Sequence, residues 1–161
     1  MISGLDKLKH SATTQSEPMS GERDLEKLLA TMSPLMIDEE FVFLTFDNGH
    51  YGDHAELEPF ATVVEGESLT LLVPKAKADS QQLSYDSTFR GITLRVHSSL
   101  EAVGLTAAFA TELAKRGISA NVLAGYYHDH IFVPSAQVEH AMTALRQLAR
   151  RAETTVDMER A

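Results

Sequence analysis

The sequence predicts an α+β protein of two ferredoxin-like (βαββαβ) modules, the first degenerate, with antiparallel sheets that carry their helices on one face. Three observations lead there. Residues 91–161 read strand, helix, strand, strand, helix, with a faint final strand, which is the split βαβ order. The first half offers a strand, a glycine-turn hairpin and a short helix, a partial copy of that order. The helical segments place apolar residues at helical spacing, as helices laid on a sheet must. The implied division is a disordered extension over 1–20, an N-terminal module over 21–88 and a C-terminal module over 89–161.

Residues 1–20 are polar and Ser/Thr-rich without sustained periodicity, which predicts disorder. Asp24 caps a helix over Leu25–Met32, with Leu25, Leu28 and Leu29 on one face and Pro34 as the stop. The run EFVFLTF (40–46) is a strand by its aromatic and β-branched content. Residues 47–59 form a polar, acidic loop. Phe60–Val64 and Ser68–Val73 flank Glu65-Gly66-Glu67, a hairpin signature. Pro74 opens a short helix to Leu83, and 86–90 is a linker.

In the second half, Gly91–His97 alternates as a half-buried strand does. Ser98-Ser99-Leu100-Glu101 has the spacing of a capping box, so a helix is expected over 99–116, ended by Gly117. Leu100, Val103, Ala107, Ala110 and Ala114 form its small-residue stripe, expected against its own sheet. Leu105, Phe109 and Leu113 lie on the other side, expected against another module or subunit. Strands are predicted over 118–125 and 131–133. An amphipathic helix follows over 135–150, with Val138, Ala141, Leu145, Leu148 and Ala149 on one stripe. A last strand over 153–157 completes the module.

Composition narrows the function. The chain has 161 residues, 43% hydrophobic and 23% charged, and no cysteine. Disulfides, thiolate metal sites and thiol catalysis are excluded, and a reducing cytoplasm fits. No stretch approaches the ~18 apolar residues of a spanning helix, and no secretory signal opens the chain. Net charge is −9: residues 1–88 carry six basic and sixteen acidic side chains (−10), residues 89–161 eight and seven (+1). Neither nucleic acid nor an anionic membrane is expected as a partner.

The block VHSSLEAVGLTAAFATELAKRGISANVLAGYYHDHIFVP (96–134), followed by the Ser135–Arg150 helix, resembles the ACT-domain family of amino-acid-sensing regulatory modules. It is most similar to a small bacterial group of freestanding tandem ACT proteins with little assigned function. Leu25–Pro34, Phe41–Thr45 and Glu65–Leu72 extend the match to roughly residues 21–150. A more distant similarity reaches the regulatory half of aspartate kinases and the animal cytosolic arginine sensor. The resemblance implies effector binding at module interfaces, where a first strand meets a first helix. The extra N-terminal segment and the faint last strand depart from the pattern. No kinase or dehydrogenase domain is present in the sequence, so regulation of a catalytic partner in cis is not expected.

The candidate ligand seat is the start of the 99–116 helix, because unpaired backbone N–H groups and a partial positive charge there suit a carboxylate. Ser98, Ser99, Leu100 and Glu101 line it, and Gly104 leaves room for a backbone or ligand. Asn121, Tyr126, Tyr127, His128 and Asp129 are candidate neighbours. Glu101 or Asp129 would meet an ammonium. The plainer alternative is that Ser98 and Glu101 cap a helix and nothing binds.

A metal site would need His97, His128, Asp129 and His130 to converge. Strand alternation sends His128 and His130 to one face and Asp129 to the other, so no metal and no cofactor are expected. The polar loop with His50, Asp53, His54 and Glu56 is read as solvated. A triad drawn from Ser98 or Ser99, His97 and Asp129 lacks any nucleophile-elbow sequence, so the chain is expected not to be an enzyme. The expectation is a cytoplasmic sensor of a small molecule, an amino acid, working as a homodimer or through pairing of its own modules. An unliganded interaction module of the same fold is the alternative, and a metal-dependent or other enzyme comes third.

Overall fold

The computed structural model describes residues 21–96 and 98–160. The extension over 1–20 and His97 lie outside the described residues. The elements are α1 (Leu25–Thr31), β1 (Ser33–Asp47), a 3₁₀ turn (Ala55–Leu57), β2 (Ala61–Val64), β3 (Ser68–Pro74), α2 (Lys75–Ser80), β4 (Phe89–Arg95), α3 (Leu105–Ala114), β5 (Asn121–Ala124), β6 (Asp129–Pro134), a second 3₁₀ turn (Ser135–Gln137) and α4 (Val138–Arg160). Asp24 caps α1, accepting from Lys27 N at 3.1 Å. Among the described residues no helix is long and apolar enough to cross a membrane.

All six strands form one sheet in the order β2-β3-β1-β4-β6-β5, every pair antiparallel. The two ferredoxin-like halves meet at β1 and β4, each the first strand of its own half. Each also occupies the place of the other half's last strand. β1 earns this by its length of 15 residues. Its start (Ser33–Met36) pairs with Arg95–Ile92, then an irregularity intervenes, and Glu40–Phe41 pairs with Arg90–Phe89. Because β1 already covers that edge, the last strand expected over 153–157 is not formed. Those residues continue α4 instead.

Strand alternation sends Val42, Leu44, Leu71 and Val73 to the helical face in the N-terminal half, with Leu57 and Ala78. In the C-terminal half Ile92, Leu94, Ile131 and Val133 meet residues of α1, α3 and α4 on that same face. The opposite face holds Phe41, Leu72 and Phe132, flanked by Ile37, Phe43, Phe89 and Leu123. Phe60, just before edge strand β2, packs edge-to-face on Phe132 and His130 of β6, at 5.1 and 5.2 Å between ring centres. Three strands separate β2 from β6, so this contact requires a strongly curled sheet.

Helix α3 corrects the sequence expectation in two ways. It starts at Leu105 rather than Ser99, and its faces are reversed. Leu105, Phe109 and Leu113 are buried in the chain's own core, while Ala107 and Ala114 are exposed. The larger side chains remove more apolar area from water, so they take the sheet side. Leu100 and Val103, expected on the helix, stand exposed in the preceding loop.

Candidate ligand-binding site

The loop 98–104 replaces the expected first turns of α3. Ser98 forms a parallel bridge with Glu22, and Ser99 N donates to Glu22 O at 3.0 Å. The capping box is not made: Glu101 N donates to Ser99 Oγ at 3.2 Å, and the Glu101 carboxylate pairs with Arg23. The helix instead begins after Gly104, whose φ of +101° few other residues adopt. A Cβ there would lie 2.9 Å from Leu25 Cδ2, so Gly104 makes room for Leu25 rather than for a ligand. Gly104 offers no side chain to cap α3, so the first N–H groups of the helix depend on other partners.

Leu105 and Thr106, the first residues of α3, line a small cavity of about 80 Å³. Ser98, Ser99, Leu100 and Ala102 form one wall, Leu105 and Thr106 the helix start, and Ala124 and Asp129 the floor. Asp129 is the first residue of β6, paired across to Ala124 and Leu94, and alternation turns it to the helical side of the sheet. It is 8% exposed, and its carboxylate accepts no hydrogen bond among the described residues. Burial pushes its pKa above the ordinary aspartate value, against the opposing pull of His130 and His128. A carboxylate so placed is costly unless something positive meets it.

The run Tyr126–His130 is thus divided rather than gathered. His130 points to the aromatic face, where Nδ1 lies 3.0 Å from Thr93 Oγ1; burial lowers its pKa. His128 Nδ1 lies a long 3.5 Å from Val96 O. Tyr126 and Tyr127 are exposed, ring against ring at 5.0 Å. Asn121 sits at the far end of β5 and donates to Phe132 O at 3.3 Å, away from the cavity. Of the ten candidate residues, the structure brings Ser98, Ser99, Leu100 and Asp129 together. It adds Ala102, Leu105, Thr106 and Ala124, none of which the sequence marked for a ligand. Among the described residues no three His, Asp or Glu side chains converge as a metal site would require.

The strand registers superpose the hairpin β2–β3 on β5–β6: Pro134 answers to Pro74, Asp129 to Leu69 and Ala124 to Val64. Leu69 is fully buried, and Gly49 is packed so tightly on it that a Cβ would come within 2.7 Å. The first half therefore has an apolar plug where the second has a carboxylate. It also has the Asp47–Phe60 segment with its 3₁₀ turn in place of a helix like α3.

Two ACT-domain family models match the chain in tandem, over residues 20–90 and 86–147. A protein of unknown function from Vibrio cholerae, described as a possible transport protein, is 52% identical over 78% of this chain and 95% of its own, with a TM-score of 0.71. This chain belongs to the ACT-domain family. A protein from Agrobacterium tumefaciens shares the fold at 13% identity, covering 73% of this chain and 89% of its own (TM-score 0.63). So does the ligand-free regulatory subunit of aspartate kinase from Thermus thermophilus, at 11% identity, 73% and 98% coverage and a TM-score of 0.53. Among proteins of curated function none matches. The ferredoxin-like fold expected from the element order is the ACT-domain fold. Membership of that family supports a ligand-binding regulatory role.

Proposed function

We propose that this ACT-domain protein senses a small free amino acid, bound in the cavity between the start of α3 and Asp129, and that it is not an enzyme. One observation carries the reading: Asp129 is an ionisable side chain, nine-tenths buried, with no hydrogen-bond donor among the described residues, lining the same cavity as the first residues of a helix that no side chain caps. A zwitterion answers both groups at once. Its ammonium meets Asp129, and its carboxylate takes the N–H groups at Leu105–Ala107, where the helix dipole adds to the attraction.

This reading keeps the seat at the strand–helix junction but moves it from Ser99 to the helix start at Leu105. Glu101, engaged with Arg23, yields the ammonium role to Asp129. The cavity is well below the ~300–1,000 Å³ of drug-sized sites, which favours glycine, alanine or serine over bulky side chains. Leu69 closes the equivalent position, so one ligand binds per chain. Exposed Leu100 in the cavity wall, with exposed Val103 in the same loop, suits a second copy of the chain covering the site.

Calorimetry and thermal melting with all twenty amino acids test this. A ligand selective for the native state raises the melting temperature and titrates to one site per chain. Absence of any binding tighter than millimolar gives the fold to the interaction-module alternative.

A further inference from the structure

We propose that Gly21–Leu25, contributed by the N-terminal half, is a positioning clamp for the ligand cavity of the C-terminal half, so that clamp docking and ligand binding favour each other. The inference rests on the cavity being the ligand site. The clamp touches loop 98–104 at its start, middle and end. At the start, Glu22 O accepts from Ser99 N at 3.0 Å, and Gly21 abuts the Ser98–Ser99 peptide. A Cβ on Gly21 would stand 2.4 Å from Ser99 N and 2.5 Å from the Ser98 carbonyl carbon, so only glycine approaches this closely. In the middle, Arg23 pairs with Glu101. At the end, Leu25 packs on the bare Cα of Gly104, the residue from which α3 departs.

Ser98, Ser99, Leu100 and Ala102 of this loop are the cavity wall, and its last residue sets where the N–H groups of α3 point. None of the clamp residues lines the cavity. They act on it only through the loop they hold, and by linkage a ligand that needs the loop in this shape must also hold the clamp.

The test uses the full chain with Gly21→Val, free glycine as probe, and three readouts. These are amide exchange at Ser99, the titration of the Asp129 carboxyl followed by NMR, and glycine affinity by calorimetry. Losing the backbone bond should quicken Ser99 exchange about tenfold. The proposal expects the Asp129 titration to fall towards the ordinary aspartate range as the loop lifts and water enters, with glycine binding weakened in parallel. Faster exchange with unchanged Asp129 titration overturns the proposal, and so does unchanged exchange at Ser99. If glycine fails to bind even the wild type, the glycine ligand itself fails, and the Asp129 titration alone decides the clamp. Should Gly21→Val not fold, the exposed ion pair serves instead. Arg23→Glu and Glu101→Arg should each shift the Asp129 titration and weaken glycine at most about fivefold, and the double reversal should restore both. No shift in either single variant, or no restoration in the double, refutes the clamp.

Discussion

Asp129→Asn keeps the shape of the side chain and removes its charge, and its effects on stability and on binding should have opposite signs. In the unliganded protein at neutral pH the carboxylate is 8% exposed and lacks a donor among the described residues. Burial raises its pKa, and that rise is free energy withheld from the folded, ionised form. Because the folded pKa lies above the unfolded one, the stability this group contributes is fully present below the unfolded pKa. It is lost as pH rises through the folded pKa. The asparagine variant, free of that loss, should be about 1 kcal/mol more stable at neutral pH, a rise of roughly 2–4 °C in melting temperature for a chain of this size. The gain should vanish in acid, where both side chains are neutral. Binding goes the other way: an ammonium deprived of its charged acceptor loses about 1.5–3 kcal/mol, roughly 10- to 150-fold in affinity. Wild-type affinity should likewise fall as acid protonates Asp129. Melting curves across pH, paired with calorimetry, read both effects. Asn121→Ala, remote from the cavity, is the control that should leave affinity unchanged. An asparagine variant that melts lower at neutral pH, or binds amino acid as tightly as wild type, would refute the reasoning.

Phe109 is fully buried on the sheet side of α3, so Phe109→Ala should cost about 3–5 kcal/mol in denaturant unfolding. Glu112 bridges α3 to α4 through Arg151 at 2.7 Å and to Arg116 at 2.9 Å. Burial pushes its carboxyl up, but the hydrogen bond and charge of Arg151, with Arg116 and Lys115, outweigh it and hold the pKa low. The stability from this lowered pKa is present above the unfolded value and lost as pH falls through the folded one. Glu112→Gln should therefore cost about 1 kcal/mol at neutral pH and progressively less in acid, as urea titrations at two pH values would show.

Much of the architecture was local and so legible. The Asp24 cap, the hairpin around Gly66 and the stripe of α4 each depend on residues within a few positions of one another. The alternation that separates His130 from Asp129 is likewise a property of the strand alone, and it already argued against a metal cluster in HDH. The aspartate that carries the proposed site was visible in that run. What was not visible was that Glu101 would be taken by Arg23, seventy-eight residues earlier in the chain.

The sequence by itself determined most of the element types and the strand–helix–strand–strand–helix order of the second half, and its family resemblance pointed to the junction of first strand and first helix as the place to look for a ligand. Tertiary structure decided where α3 begins, which of its faces is buried, and which carboxylate is buried without a hydrogen-bond donor among the described residues. It also decided that residues 153–157 remain helical, because the edge they would have covered was already paired to β1. The SSLE pattern satisfies the spacing of a capping box. Spacing cannot register that Glu22 offers Ser99 a backbone acceptor or that Leu25 needs the space above Gly104. Local propensities differ by a kilocalorie or less per residue, and one long-range pairing or one buried phenyl ring outweighs them.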